Sequence, residues 1–176
     1  MEQQSVIESR EEMEKILEEE AFGCLGLCLD GKPYAVPLNY AYQEGKILFH
    51  CRFEGKKLDY IRGNPQVCFT VARQPGSVRA HPGGSPCHVD SDSVICYGKA
   101  RVIEDVKERE AALNAFNHHF RPQAPDIALD GVINCNAVEI RISEMTGRQE
   151  RERERTYWRY AFPEQPDRDL LKGPTI

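Results

Sequence analysis

Apolar and polar positions change period several times along the chain, and each change marks an element. Met13, Ile16 and Leu17 recur at helical spacing behind Ser9 and Glu12, a capping-box pair. A helix is expected there, its other face almost all Glu and turned to solvent. Residues 22–29 read as a strand, Asp30-Gly31 as a hairpin turn and 33–42 as the return strand. Gln43-Glu44-Gly45 turns the chain again into a third strand, 46–51, and the three would form an antiparallel meander. A short helical segment at 55–62 carries Leu58 and Ile61 on one side and is stopped by Gly63-Asn64-Pro65. Residues 66–72 form an apolar strand, 73–92 a Gly/Pro/Ser-rich irregular loop, and 93–104 a long strand. Residues 107–120 read as a helix with Ala111, Ala112, Ala115 and Phe116 among its apolar positions, and 136–142 as the last strong strand.

Beyond this the pattern changes. Residues 150–155 alternate Glu and Arg strictly. A strand would send the two signs to opposite faces, a helix would pair them three apart, and a solvated segment is expected. Tyr157-Trp158-Arg159-Tyr160 is too aromatic for a disordered tail, and is expected to dock on the body or on a second copy. The organisation is therefore one domain over 1–149 and a charged, aromatic tail over 150–176. Six strands and few helices predict a mainly β fold with flanking helices: a small antiparallel barrel, closed to avoid exposed edges.

Composition narrows the function classes. The 176 residues hold 23 Lys+Arg against 28 Asp+Glu, a formal charge of −5, which argues against a nucleic-acid binder. No apolar run approaches the roughly 18 residues of a membrane helix. The acidic first twenty residues do not resemble a signal peptide, so a cytoplasmic protein is expected, with no membrane partner. Seven cysteines form no CxxC pair; Cys24, Cys28, Cys51, Cys68 and Cys96 lie in apolar stretches and read as reduced, buried thiols. His81, Cys87 and His88 cluster in the Gly/Pro-rich loop at a spacing that fits no standard zinc pattern, and no metal is expected. P-loop, GxGxxG, GxSxG and HExxH motifs are all missing from the sequence.

The informative stretch is 34–71, YAVPLNYAYQEGKILFHCRFEGKKLDYIRGNPQVCFTV. Pro37 interrupts a strand, which asks for an edge or a bulge. Asn39 is polar within an apolar strand, and suits a turn or bulge that satisfies its own backbone. His50 and Cys51 end the strand where a sheet would open into a loop. His50 alone suits a hydrogen-bonded core histidine as well as a functional one. Lys56-Lys57 starts a helix and suits either ordinary surface charge or a phosphate site.

Taken together these pieces resemble the pyridoxamine 5′-phosphate oxidase-like, FMN-binding split-barrel superfamily, most of all its nitroimidazole-resistance (Nim-type) branch. The matching segments are V-P-L-N-Y at 36–40, G-K-I-L-F-H at 45–50, E-G-K-K-L-D at 54–59 and N-P-Q-V-C-F at 64–69. S-V-I-C-Y-G-K-A-R-V-I-E-D at 93–105 resembles the strand after the family's variable loop, and Glu144 to Arg148 its closing turn. The resemblance spans about residues 8–149 and implies a homodimer of split barrels with FMN bound at the subunit interface. It implies that Pro37, Leu38, Asn39 and Tyr40 line the flavin ring, largely through backbone. His50 and Cys51 would sit at the ring edge and ribityl chain, Lys56 and Lys57 on the phosphate, and Ser93 would add a polar contact. His50 would be the functional side chain, donating a proton near neutral pH. The chain lacks, in 150–176, the Arg/His set with which the pyridoxal phosphate-forming oxidases hold their substrate. An FMN-dependent reductase of a small electron-poor molecule, a nitroaromatic or quinone, is therefore expected, with NAD(P)H as a candidate donor. A carrier that holds FMN or haem without turnover is the alternative, ahead of pyridoxamine 5′-phosphate oxidase activity itself.

Overall fold

The computed structural model describes residues 3–75, 89–151 and 154–163, the first six of these by backbone alone. In chain order the elements are β1 (Gln3–Glu8), α1 (Glu11–Glu19), β2 (Phe22–Leu29), β3 (Lys32–Asn39), β4 (Ala41–Gln43) and β5 (Lys46–Cys51). α2 (Lys56–Gly63), β6 (Gln66–Arg73), β7 (Ser91–Val102), α3 (Val106–Phe120), α4 (Leu129–Ile133), β8 (Asn136–Arg151) and β9 (Glu154–Ala161) follow.

Both tight turns are set by residues that tolerate positive φ. Asp30 (φ 50°) and Gly31 (φ 72°) join β2 to β3, and Glu44 (φ 46°) and Gly45 (φ 81°) join β4 to β5, each a two-residue hairpin loop whose twist matches its strands. The expected return strand 33–42 is broken at Tyr40. The Asn39 amide closes the first hairpin by donating to the Ala21 carbonyl at 2.9 Å. Tyr40 then turns fully into the core, its hydroxyl donating to Leu17 O at 2.9 Å and its ring edge-on to Phe69. The expected three-strand meander therefore does not form: β3 pairs with β2, whereas β4 pairs with β5 and β5 with β8.

β8 is the seam of the sheet. Residues 138–141 lie between β5 and β7, and 144–150 lie between β9 and β7. Gly98 sits at the β7–β8 register shift, where an added Cβ would stand 2.0 Å from Arg141 O, so the two backbones approach as only glycine permits. The main path runs β1-β9-β8-β7-β6-β2-β3, with β4 and β5 branching from β8. The fold is a split β-barrel with flanking helices, mainly antiparallel. Its ladders are not closed as expected: β3 remains an edge, and β1 pairs with β9 in parallel.

Further differences from the sequence reading have local causes. Glu144 to Arg148, expected as a turn, lies within β8, paired with β7 and β9. The Ser9–Glu12 capping box is not built, because Arg10 already has helical angles at the N-cap and no side chain caps α1. Arg10 instead pairs with Glu14 at 2.8 Å and lies over the Tyr160 and Phe162 rings. The aromatic tail docks on the body: Trp158 is buried opposite Gly147 and joins the main core. The cluster of His81, Cys87 and His88 lies outside the described residues.

Two cores result. The larger packs α1 and α2 against the sheet, with Tyr40, Phe49, Phe69, Leu25 and Ile140 among its fully buried side chains. The smaller lies on the other side of β5 and β8, where Ala112 and Leu113 of α3 and Val132 of α4 cover Leu48, Ile103 and Ala137. β5 thus separates the two cores, and its last residues emerge between them.

Candidate functional site

Alternation along β5 sends His50 and Cys51 to opposite faces. Cys51 packs against the main core, half-buried. His50 is exposed and turns toward α3, where its ring meets Phe116 edge-on, 4.9 Å between centroids and 87° between planes. β4 pairs with β5 only as far as Leu48, so beyond it this edge of β5 has no strand partner among the described residues.

α2 starts just beyond that edge. Its N-cap is Gly55, with φ 137°, a conformation that excludes ordinary side chains, and with open space where a Cβ would stand. Among the described residues no side chain caps the helix. Leu58 N already donates to Gly55 O at 2.9 Å, which leaves the N–H groups of Lys56 and Lys57 as the donors of this end, beside its positive dipole. Lys57 places its ammonium 5.5 Å from the Phe49 ring centroid, and its charge acts on both His50 and Cys51. Lys56, one residue earlier, turns to the other side, its ammonium 4.5 Å from the Tyr34 ring and 5.5 Å from that of Tyr60. Neither lysine has a carboxylate partner among the described residues.

These surroundings set the protonation states. His50 keeps solvent contact on one side, but partial desolvation of its ring, and after it the Lys57 ammonium, hold the imidazole below its ordinary 6.5, so the neutral form predominates at pH 7. Burial pushes the Cys51 thiol up despite the nearby Lys57, so it stays protonated and is a poor nucleophile.

The other expected residues fall into two groups. Pro37 lies on β3, an edge strand, where its missing N–H costs no ladder bond. Pro37 and Asn39 point outward, Leu38 is half-buried, and the Tyr40 side chain is committed to the core, so only its backbone remains available. Ser93 stands apart. It is opposite Ala72 and Arg148, nine residues before Val102, the β7 residue beside the His50 end of β5. That is roughly 30 Å of strand. One chain therefore brings together His50, Cys51 and Lys57, flanks them with Lys56 and Tyr34, and leaves Ser93 elsewhere. Three residues escaped the sequence reading of the site. Tyr34 opens the informative stretch and Gly55 lies inside the E-G-K-K-L-D segment, yet neither stands out there as a site residue, and Phe116 reads only as one of the helix's apolar positions.

The model of the pyridoxamine 5′-phosphate oxidase family matches residues 9–149. The chain belongs to this family. Among solved structures, it is similar to a candidate 5-nitroimidazole antibiotic resistance protein from Bacteroides thetaiotaomicron, at 28% identity and TM-score 0.70, covering 80% of this chain and 84% of that one. It is also similar to an FAD-binding protein from Mesorhizobium loti, at 26% identity and TM-score 0.61, covering 81% and 96%. An FAD- and haem-binding protein from Mycobacterium smegmatis shares the fold at 16% identity and TM-score 0.72, covering 97% and 93%. A curated, uncharacterized protein of Rhizobium meliloti is 36% identical over 64 residues, which span 36% of this chain and 42%, less than half, of that protein. Among the described residues, no helix of this family member is long and apolar enough to cross a membrane.

Proposed function

We propose that the chain is an FMN-dependent oxidoreductase that reduces a small electron-poor substrate, a nitroaromatic or quinone, as a homodimer. The observation that carries this is the start of α2. A helix end over Gly55 with no side-chain cap, flanked by Lys56 and Lys57 with no carboxylate partner among the described residues, suits a terminal phosphate dianion. Relatives at 26–28% identity described as an FAD-binding protein and a candidate nitroimidazole resistance protein support the flavin and the substrate class. FMN is favoured over FAD because one phosphate monoester matches one helix end and two ammonium groups.

When bound, FMN supplies two-electron chemistry between NAD(P)H and the substrate. The protein's own part is local. Lys57 neutralises the phosphate and stands near enough to His50 to lower its proton affinity. Neutral His50 offers one ring N–H to the oxygen on which charge develops, rather than the imidazolium that an unperturbed value would supply in part. Leu38 and the backbone of Pro37 to Tyr40 form the far wall, along the free edge of β3.

The homodimer is supported by the outward face of β2, β3, β6 and β7. Phe22 is 57% exposed there, and Pro33, Ala35, Cys68 and Tyr97 line an apolar groove of about 570 Å³. By strand alternation Ser93 lies on this face with Ile95 and Tyr97, so a second copy laid on it takes Ser93 toward the partner's flavin. A cytoplasmic location, with NAD(P)H at hand, goes with this reading. The test is anaerobic: the FMN-loaded protein is mixed with NADH or NADPH and followed at the flavin bands, then given nitrobenzene or benzoquinone. Bleaching followed by substrate-dependent recovery is expected, slowed in His50→Ala. A flavin that stays oxidised with either donor would make the protein a carrier instead.

A further inference from the structure

α3 is held to the body by Ala112 and Leu113, which are buried against Leu48, Ile103 and Ala137, with Ala115 beside them. Phe116 and Phe120 belong to neither core. They stack on each other instead, 4.9 Å between centroids at 53°, and Phe116 continues onto His50 at 4.9 Å. His119 extends the row, edge-on to Phe120 at 4.8 Å. Phe120 is 38% exposed, Phe116 half-buried and His50 exposed, so the row borders solvent along its length. Residues 116, 119 and 120 share one helix face, which lays the row along α3 away from His50. Two large aromatic side chains left out of the core lose the burial that usually justifies them. Here they form a wall of rings that starts at the candidate functional histidine.

We propose that Phe116 and Phe120 are the substrate-specificity residues of this site, a platform that binds a flat, electron-poor aromatic ring and delivers its polar substituent to His50. This rests on the reductase reading above and adds the ring requirement to it. The electron-rich faces of the two phenylalanines suit an electron-poor π-system, in offset or edge-on geometry. Lys57, whose charge reaches His50, favours a substituent with partial negative charge, such as a nitro group or quinone oxygen. A small aliphatic nitro compound reaches His50 but gains nothing from the wall.

The test uses the FMN-loaded full chain with nitrobenzene and nitroethane as substrates, and benzonitrile as a flat, unreactive binder. Phe116→Ala and Phe120→Ala are compared with the shape-retaining Phe116→Leu and Phe120→Leu. FMN affinity is measured on the same samples. Preference for nitrobenzene over nitroethane should fall about tenfold in the variants, through KM for nitrobenzene rather than kcat. Benzonitrile binding, read by saturation-transfer NMR, should weaken in parallel while FMN affinity stays within twofold. Unchanged preference and unchanged benzonitrile binding in leucine variants that keep FMN would overturn the platform. If the wild type binds benzonitrile yet reduces neither nitro compound, the platform stands and the reductase reading falls. If it does not bind benzonitrile at all, the platform falls whatever the activity.

Discussion

Lys56 and Lys57 are neighbours in sequence, yet their ammonium groups lie over different rings, Tyr34 at 4.5 Å and Phe49 at 5.5 Å. Adjacent positions on a helix point about 100° apart, and here that angle places one lysine toward β3 and the other toward β5. They should not contribute equally to cofactor binding. Lys57→Ala is expected to weaken FMN by about 10–100-fold, the loss of a charge-assisted contact. Lys56→Ala should cost less, because its ammonium also rests on two aromatic rings. Quenching of FMN fluorescence on titration gives both constants. Equal losses would show that the two lysines act as a single pair.

His50 carries a pH signature. Its folded value lies below the ordinary 6.5 through burial first and Lys57 second. In Lys57→Gln the second cause is gone and the first remains. The His50 titration followed by NMR should therefore move upward yet stay below 6.5. The linkage has a definite sign. A histidine whose folded value is depressed favours the folded state when neutral, so its share of stability is present above the ordinary 6.5 and is lost as pH falls from there through the lower folded value. An unmoved His50 titration in the variant would separate Lys57 from the histidine.

Gly55 is a structural prediction with a functional readout. At φ 137° an alanine is strained even though space is open around it. Gly55→Ala should cost about 1–3 kcal/mol in denaturant unfolding. It should also weaken FMN more than its stability loss explains, because the first turn of α2 must shift. Gly31→Ala, at φ 72° in the β2–β3 turn, is the control: a comparable stability loss with FMN affinity retained.

Glu139 governs the acid limb of stability. Its buried carboxylate meets Arg141 at 2.7 Å, Arg101 at 3.0 Å and Lys46 at 3.4 Å. Burial pushes its carboxyl up, and the guanidinium groups outweigh that, so it titrates below the ordinary 4.5. Its contribution is present above that ordinary value and is lost as pH falls through the lower folded one. Glu139→Gln should cost about 2 kcal/mol at pH 7, moderated by the partial exposure of the three cations. The variant and wild-type stability curves should converge as pH falls below the ordinary 4.5 and through the lower folded value. Parallel curves across that range would rule Glu139 out as the source.

Much of this was legible in the sequence because it is local. Asp30-Gly31 and Glu44-Gly45 announce their turns, and β2 and β5 fall at 22–29 and 46–51 as the alternation suggests. Pro37 pointed to an edge, and β3 is one. What stayed hidden depends on distant partners. The alternation runs through Tyr40 without interruption, and only its hydrogen bond to Leu17 O and its packing on Phe69 reveal the break. The Glu/Arg alternation after residue 149 has the period of a strand. Its described residues, expected as part of a solvated segment, lie in strands instead: Glu150 and Arg151 end β8, Glu154 and Arg155 begin β9, and Arg155 meets Glu150 at 3.0 Å. Helical spacing marked Phe116 as apolar but could not say that its neighbour is His50 rather than the core.

The most direct test of the account is the visible absorption spectrum of the purified protein, taken after FMN is added and the mixture is passed through gel filtration. A two-band flavin spectrum that co-elutes at the dimer position in the wild type, and is lost or much weakened in Lys57→Ala, is the expected result. Protein that elutes colourless would contradict the cofactor site at the start of α2.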